Sequence, residues 1–237
     1  MNVAIIPARG GSKRILRKNL RDFCGQPIIS YSINTALQSG LFDHVVVSTD
    51  DPEISAMALK LGAEIPFVRP AELADDHAST LSVVQHAVRA CRALGWPVNH
   101  LCCLYATAPF VEVSDLRAGL ELLESSSKDG LVQYAFTATS FGFPVQRAIR
   151  LDGSSAVQPV WPENIPKRSQ DLEPLYHDAG QFYWGRATAF DSMLSLFAPH
   201  SRALLLPTHR VQDIDNEDDW IRAEWLYRAW KGTADTP

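Results

Sequence analysis

Val3-Ala4-Ile5-Ile6-Pro7 runs without a break into Ala8-Arg9-Gly10-Gly11-Ser12-Lys13-Arg14. The first part is a short apolar run closed by proline, the pattern of a strand buried on both faces. The second is a loop of small and basic residues. In open parallel sheets, ligands bind beyond the carboxyl ends of the strands. Adjacent glycines let the backbone turn and bring its N–H groups against an anion. Ala8, Gly10, Gly11 and Ser12 are therefore candidate cradle residues. Arg9 and Lys13 are candidate catalytic cations, because polyphosphate must be neutralised before a nucleophile approaches phosphorus. The loop has neither the GK[ST] ending of a Walker loop nor the G-x-G-x-x-G of dinucleotide binders. A solvated basic turn is the competing reading, and the position directly after a buried strand weighs against it.

Outward from this stretch, strands and helices alternate. Pro27 opens a helix with Ile29, Ile33, Ala36 and Leu37 on one face, stopped at Gly40. Residues 44–48 read as a second strand. Asp50-Asp51-Pro52-Glu53 starts a helix that Gly62 stops, with Ile54, Met57, Ala58 and Leu61 at i, i+3, i+4 and i+7. Further strands are expected at residues 63–68, 101–105, 131–136, 181–184 and 203–206. Helices are expected around Val84 to Cys91, after a Ser114-Asp115 cap, and from about Glu217 to Ala229, with a frayed tail from Lys231. The alternation implies an α/β fold, a mainly parallel Rossmann-like sheet with helices on both faces. Residues 140–178 break the pattern. They read as an extended arm inserted into a single domain spanning 1–237, with a dimer contact as its expected use.

The bulk properties narrow the function. The chain has 237 residues and a formal net charge of −5, which argues against nucleic acid as a partner. Positive charge is concentrated locally: Arg9, Lys13, Arg14, Arg17, Lys18 and Arg21 lie together with no acid among them. No apolar run is long enough to span a membrane, and the opening lacks the pattern of a secretory signal. The four cysteines form no C-x-x-C pair and read as free thiols of a reducing compartment, so a cytoplasmic location is expected.

A second chemical feature lies near the other end. Asp213 and Asp215 flank Ile214, and in extended chain residues two apart point the same way. The two carboxylates can face one Mg2+ ion while Ile214 turns inward; magnesium is held by one or two carboxylates with phosphate oxygens and water. The alternative is that Asp215 merely caps the last helix.

With both features read, the chain resembles the CMP-sialic acid synthetase family, whose fold is of the nucleotide-diphospho-sugar transferase type. The matching segments are residues 5–15, Arg17-Lys18-Asn19, Ser48-Thr49-Asp50-Asp51, Arg69-Pro70-Ala71-Glu72-Leu73 and Asp213-Ile214-Asp215. Within the family it is most similar to the pseudaminic acid cytidylyltransferases, through residues 105–110, 161–164, 168–172 and 176–185. The resemblance implies a homodimer that transfers CMP from CTP to pseudaminic acid with Mg2+. It implies that residues 9–13, Lys18 and Asn19 hold the nucleotide, with Arg69 and Thr80 near the cytidine. Tyr105, Thr107, Arg168, Gln181 and Tyr183 would lie near the sugar, Asp213 and Asp215 on the metal, and Asp215 on the incoming hydroxyl. Two positions depart from the family. Tyr105-Ala106-Thr107-Ala108-Pro109 replaces Gln-Pro-Thr-Ser-Pro, whose Gln contacts the sugar, which argues against N-acetylneuraminate. Leu16 replaces a proline of the first loop and removes no charge. Legionaminate or N-acetylneuraminate as acceptor is the second reading, and a silent nucleotide-binding module a third. His177 reads as structural, and the tryptophans as packing residues.

Overall fold

The computed structural model describes residues 1–75, 78–127 and 130–234. Its centre is a six-stranded sheet made of β1 (Asn2–Pro7), β2 (His44–Ser48), β3 (His100–Leu104), β4 (Tyr134–Ser140), β5 (Tyr176–Arg186) and β6 (Ser201–Leu205). The strand order is β6-β4-β5-β3-β1-β2. β1 pairs in parallel with β2 and β3, and β6 with β4, whereas β5 runs antiparallel to both its neighbours. The sheet is thus mainly parallel, with one reversed strand in the middle.

The opening pentapeptide shows why both faces are covered. Ala4 and Ile6 point into one apolar cluster, Val3 and Ile5 into the other, and all four are fully buried. On the first face lie α1 (Ile28–Ser39), α2 (Pro52–Lys60) and α4 (Val113–Glu124); on the second lie α3 (Thr80–Ala93) and α5 (Ala187–Asp191). Asp51 caps α2, its side chain accepting from Glu53 N at 2.8 Å and Ile54 N at 3.0 Å. Gly40 ends α1 in the left-handed conformation, as a helix C-terminus favours.

A third cluster decides where the two chemical motifs sit. Ile15 of the first loop and Ile214 of the acidic motif pack together with Phe23, Phe110 and Trp220. Trp220 belongs to α6 (Glu217–Ala234). Burying an isoleucine side chain contributes roughly 1.5–3 kcal/mol, so two such residues hold the ends of the chain together at this point.

Several boundaries differ from the sequence reading. No strand forms at 63–68. Only Glu64 bridges to β2, and the chain leaves the sheet at Pro66, which has no N–H to donate. Helix α4 starts earlier than a Ser114-Asp115 cap requires. Asp115 is its third residue and reaches back to accept from Glu112 N at 2.9 Å. The strand expected at 131–136 lies at Tyr134–Ser140, β5 has eleven residues, and α6 continues to Ala234. Residues 141–175 lie between β4 and β5 and hold one short hairpin, between Ile149–Leu151 and Val157–Pro159.

Candidate active site

The loop after β1 is held from three directions. Ala8 N donates to Ser48 O at 2.9 Å, which extends the pairing with β2 by one residue. Gly10 N donates to Asp50 Oδ1 at 3.2 Å. Buried Asn19 donates from Nδ2 to Arg9 O at 3.0 Å. Neither Gly10 nor Gly11 adopts a positive φ, so the expected glycine turn is not the reason for them. Gly10 is needed for close approach: a Cβ there would lie 2.5 Å from Asp51 Oδ2. Gly11 faces open space, with nothing within 4 Å of its missing Cβ.

The six basic residues of this region divide by task. Arg17 and Arg21 make surface pairs, with Glu53 and Glu217 respectively. Arg9, Lys13, Arg14 and Lys18 instead line a cleft of about 420 Å³. Ser12, Asn19, Arg69, Thr80, Tyr105 and Thr107 also line it. Arg9 donates to Asp75 O at 2.7 Å. Buried Arg69 donates through Nε to Ser48 Oγ at 3.1 Å at the end of β2, and burial lowers its pKa. Lys18 donates to Ile214 O at 2.6 Å; burial lowers its pKa, against the pull of Asp215 and Asp213.

The acidic motif meets the same cleft. Ile214 is turned inward and buried, as expected. Asp215 lines the cleft and pairs with Arg14 at 3.1 Å. The cap of α6 is not Asp215: Asn216 Oδ1 accepts from Asp219 N at 3.0 Å, and Asp219 Oδ2 accepts from Asn216 N at 3.2 Å. That reciprocal pair satisfies the helix end and leaves the Asp215 carboxylate to Arg14 and the cleft. Asp213 lies outside the cleft lining. Partial desolvation first, and the neighbouring Asp215 charge second, hold its carboxyl above the ordinary range. Two like charges side by side on hard oxygen donors suit a divalent cation. Among the described residues, no group of three or more His, Cys, Asp or Glu gathers to hold a metal.

A second cavity of about 360 Å³ adjoins the first. Thr80 and Tyr105 line both, and the Tyr105 hydroxyl lies 3.1 Å from Thr80 Oγ1. The walls here are apolar: Leu81, Val84, Phe190, Leu196 and Phe197. Tyr183 lines this cavity and donates its hydroxyl to Asp178. Sequence reasoning missed the apolar walls. Leu196 and Phe197 lie in an irregular segment after α5 where no periodicity marks them.

Two expected sugar residues lie outside both cavities. Arg168 is exposed on the arm and pairs with Asp171 at 2.8 Å. Gln181 is buried on β5 and donates to Arg210 O at 2.5 Å, while its Oε1 has no partner. Arg210 is itself buried against Asp115 at 2.8 Å. His177 is exposed, bonds to Asp178 O and packs on Phe141, a structural role. Trp184 is buried and donates to Leu116 O at 2.9 Å.

A sheet of this order, with a basic cleft at the carboxyl ends of β1 and β3 and acids beside it, is the framework of an α/β nucleotidyltransferase. The chain belongs to the cytidylyltransferase family, whose profile matches residues 3–214. It is 46% identical over 228 residues to the pseudaminic acid cytidylyltransferase of Campylobacter jejuni subsp. jejuni, covering 96% of both chains. It is 28% identical over 239 residues to a CMP-N,N'-diacetyllegionaminic acid synthase of Legionella pneumophila subsp. pneumophila, covering 94% of this chain and 95% of the other. A CMP:2-keto-3-deoxy-manno-octonic acid synthetase solved with CTP superposes with a TM-score of 0.68 at 18% identity, over 97% of this chain and 99% of that one. At that identity the likeness speaks for the fold.

Proposed function

We propose that this protein transfers the cytidylyl group of CTP to the anomeric hydroxyl of pseudaminic acid and releases pyrophosphate. The observation that carries the reading is the junction at Thr80 and Tyr105, where a basic cleft and an apolar cavity share one wall. The Campylobacter jejuni relative supports this sugar as the acceptor.

In this reading Arg9, Ser12, Lys13 and Lys18 hold the triphosphate in the first cleft, with Arg69 and Thr80 near the nucleoside. The sugar occupies the second cavity against Tyr105 and Tyr183. Its hydroxyl attacks the α-phosphorus and pyrophosphate leaves in line. Positioning and charge neutralisation supply most of the rate. Asp213 and Asp215 would hold Mg2+, which when bound supplies positive charge at the phosphoryl oxygens. Asp215 also orients the incoming hydroxyl.

The arm serves a second copy of the chain. Phe143, Ile149, Leu151 and Val157 are exposed on it, and a two-stranded hairpin alone is marginal in water. Arg168 then meets the sugar from the arm of the partner. Cys91, Cys102 and Cys103 are buried free thiols, which suits work in the cytoplasm.

The test is pyrophosphate release from CTP with a panel of acidic sugars. Pseudaminic acid is expected to turn over fastest, and chelation with EDTA to stop the reaction until Mg2+ is returned. A faster rate with legionaminic or N-acetylneuraminic acid would reassign the acceptor, and no turnover with any sugar would leave a nucleotide-binding module.

A further inference from the structure

Among the described residues lining the apolar cavity, only Asp178 is charged. Its position follows from an irregularity in β5. The register against β4 shifts between Asp178 and Tyr183, and Gly180 turns with φ +61. Gly180 N donates to Asp178 Oδ1 at 3.0 Å, and the Tyr183 hydroxyl donates to Oδ2. A bulge of this kind re-aims a side chain beside a site. Each carboxylate oxygen has one protein donor, and an ionised carboxylate accepts about four hydrogen bonds in all, so capacity remains.

The two cavities are therefore electrically opposite. One is lined by five cations, Arg9, Lys13, Arg14, Lys18 and Arg69, against two carboxylates, Asp75 and Asp215; the other has apolar walls and a single carboxylate. An acidic sugar has its own carboxylate near the anomeric carbon, and hydroxyl or acylamino N–H donors farther along the chain. A carboxylate in an apolar cavity repels the first and attracts the second, and such complementarity fixes orientation. We propose that Asp178 determines sugar specificity by accepting a hydrogen bond from a hydroxyl or acylamino N–H on the part of the sugar remote from its carboxylate. The sugar then lies with its acid toward the cations and its donors toward Asp178. This rests on the assignment of the apolar cavity to the sugar.

The experiment compares steady-state kinetics of wild type, Asp178→Asn and Phe197→Ala with CTP and the best acidic sugar. Asp178→Asn keeps an oxygen for Gly180 N and is nearly isosteric; thermal melting checks that it folds. A hydrogen bond to a charged acceptor corresponds to roughly a 10–100-fold change. The expected result is a rise of that order in the sugar KM for Asp178→Asn, with the CTP KM unmoved. With an analogue whose exocyclic donors are methylated, wild type and variant should converge. If Phe197→Ala raises the sugar KM while Asp178→Asn leaves it within twofold, the cavity assignment stands and the role of Asp178 is overturned. If neither variant moves it, the cavity assignment fails and takes the proposal with it. Equal rises in the KM of CTP and of sugar would make Asp178 a structural residue and also overturn the proposal.

Discussion

The two cavities differ in how they are built. The basic cleft is made from a loop whose backbone is pinned at Ala8, Arg9 and Gly10. The apolar cavity is made from side chains of α3, α5, β5 and the segment after α5. Under the proposed function the first takes a triphosphate and the second a sugar. Charge on a triphosphate demands fixed donors, since an electrostatic site works by being preorganised. A sugar with apolar substituents demands shape, which side chains can supply without a special backbone. The first kind of site leaves a compact trace in the sequence, and the second does not.

Four substitutions sharpen or break this contrast, each measured as kcat/KM by pyrophosphate release. Arg9→Ala should lose on the order of 10²–10³-fold with any sugar, the scale of removing one preorganised charge donor. Undiminished turnover would remove Arg9 from the mechanism. Gly10→Ala tests the pinned backbone. Its new methyl meets Asp51 Oδ2 at 2.5 Å and Cβ at 2.9 Å, and overpacking of this kind costs about 1–3 kcal/mol. The CTP KM should rise roughly tenfold while the sugar KM holds, on the same energy scale. An unchanged CTP KM would mean that the loop gives way freely. Phe197→Ala should do the reverse, raising the sugar KM by about tenfold through lost apolar contact. Tyr105→Phe is the smallest. It removes the hydroxyl, with its bond to Thr80 at 3.1 Å and its contact with Tyr183, an effect of about 1 kcal/mol or roughly fivefold. Because Tyr105 belongs to both cavities, both KM values should move together; a change in one alone would break the shared-wall picture.

What could be read in advance follows the same division. The strand–loop at residues 3–14 was legible because burial on two faces and local charge are both contiguous in the chain. At Asp213-Ile214-Asp215 the inward turn of Ile214 was legible from period-two spacing, while the structure lines the cleft with Asp215 and not with Asp213. The tasks of Arg17 and Arg21 were not, since their partners Glu53 and Glu217 are brought near only by folding. Nor was the bulge that aims Asp178, because register against β4 is a property of two strands. The strand expected at 63–68 failed for a local reason that was visible, Pro66. Gln181 was assigned to the sugar by resemblance, yet its side chain is turned to Arg210.

The basic segment after β1 reaches the far end of the molecule at three points. Arg14 bonds to Asp215, Lys18 to Ile214 and Arg21 to Glu217, across 196 to 201 residues. Synthesis adds about 5–20 residues per second. The loop therefore leaves the ribosome roughly 10–40 seconds before its partners do, at that same rate. Throughout that interval the cations have no Asp215 to face, and Ile15 has neither Ile214 nor Trp220 to cover it. The basic cleft is consequently among the last parts of the chain to be completed, although its sequence is the first to appear.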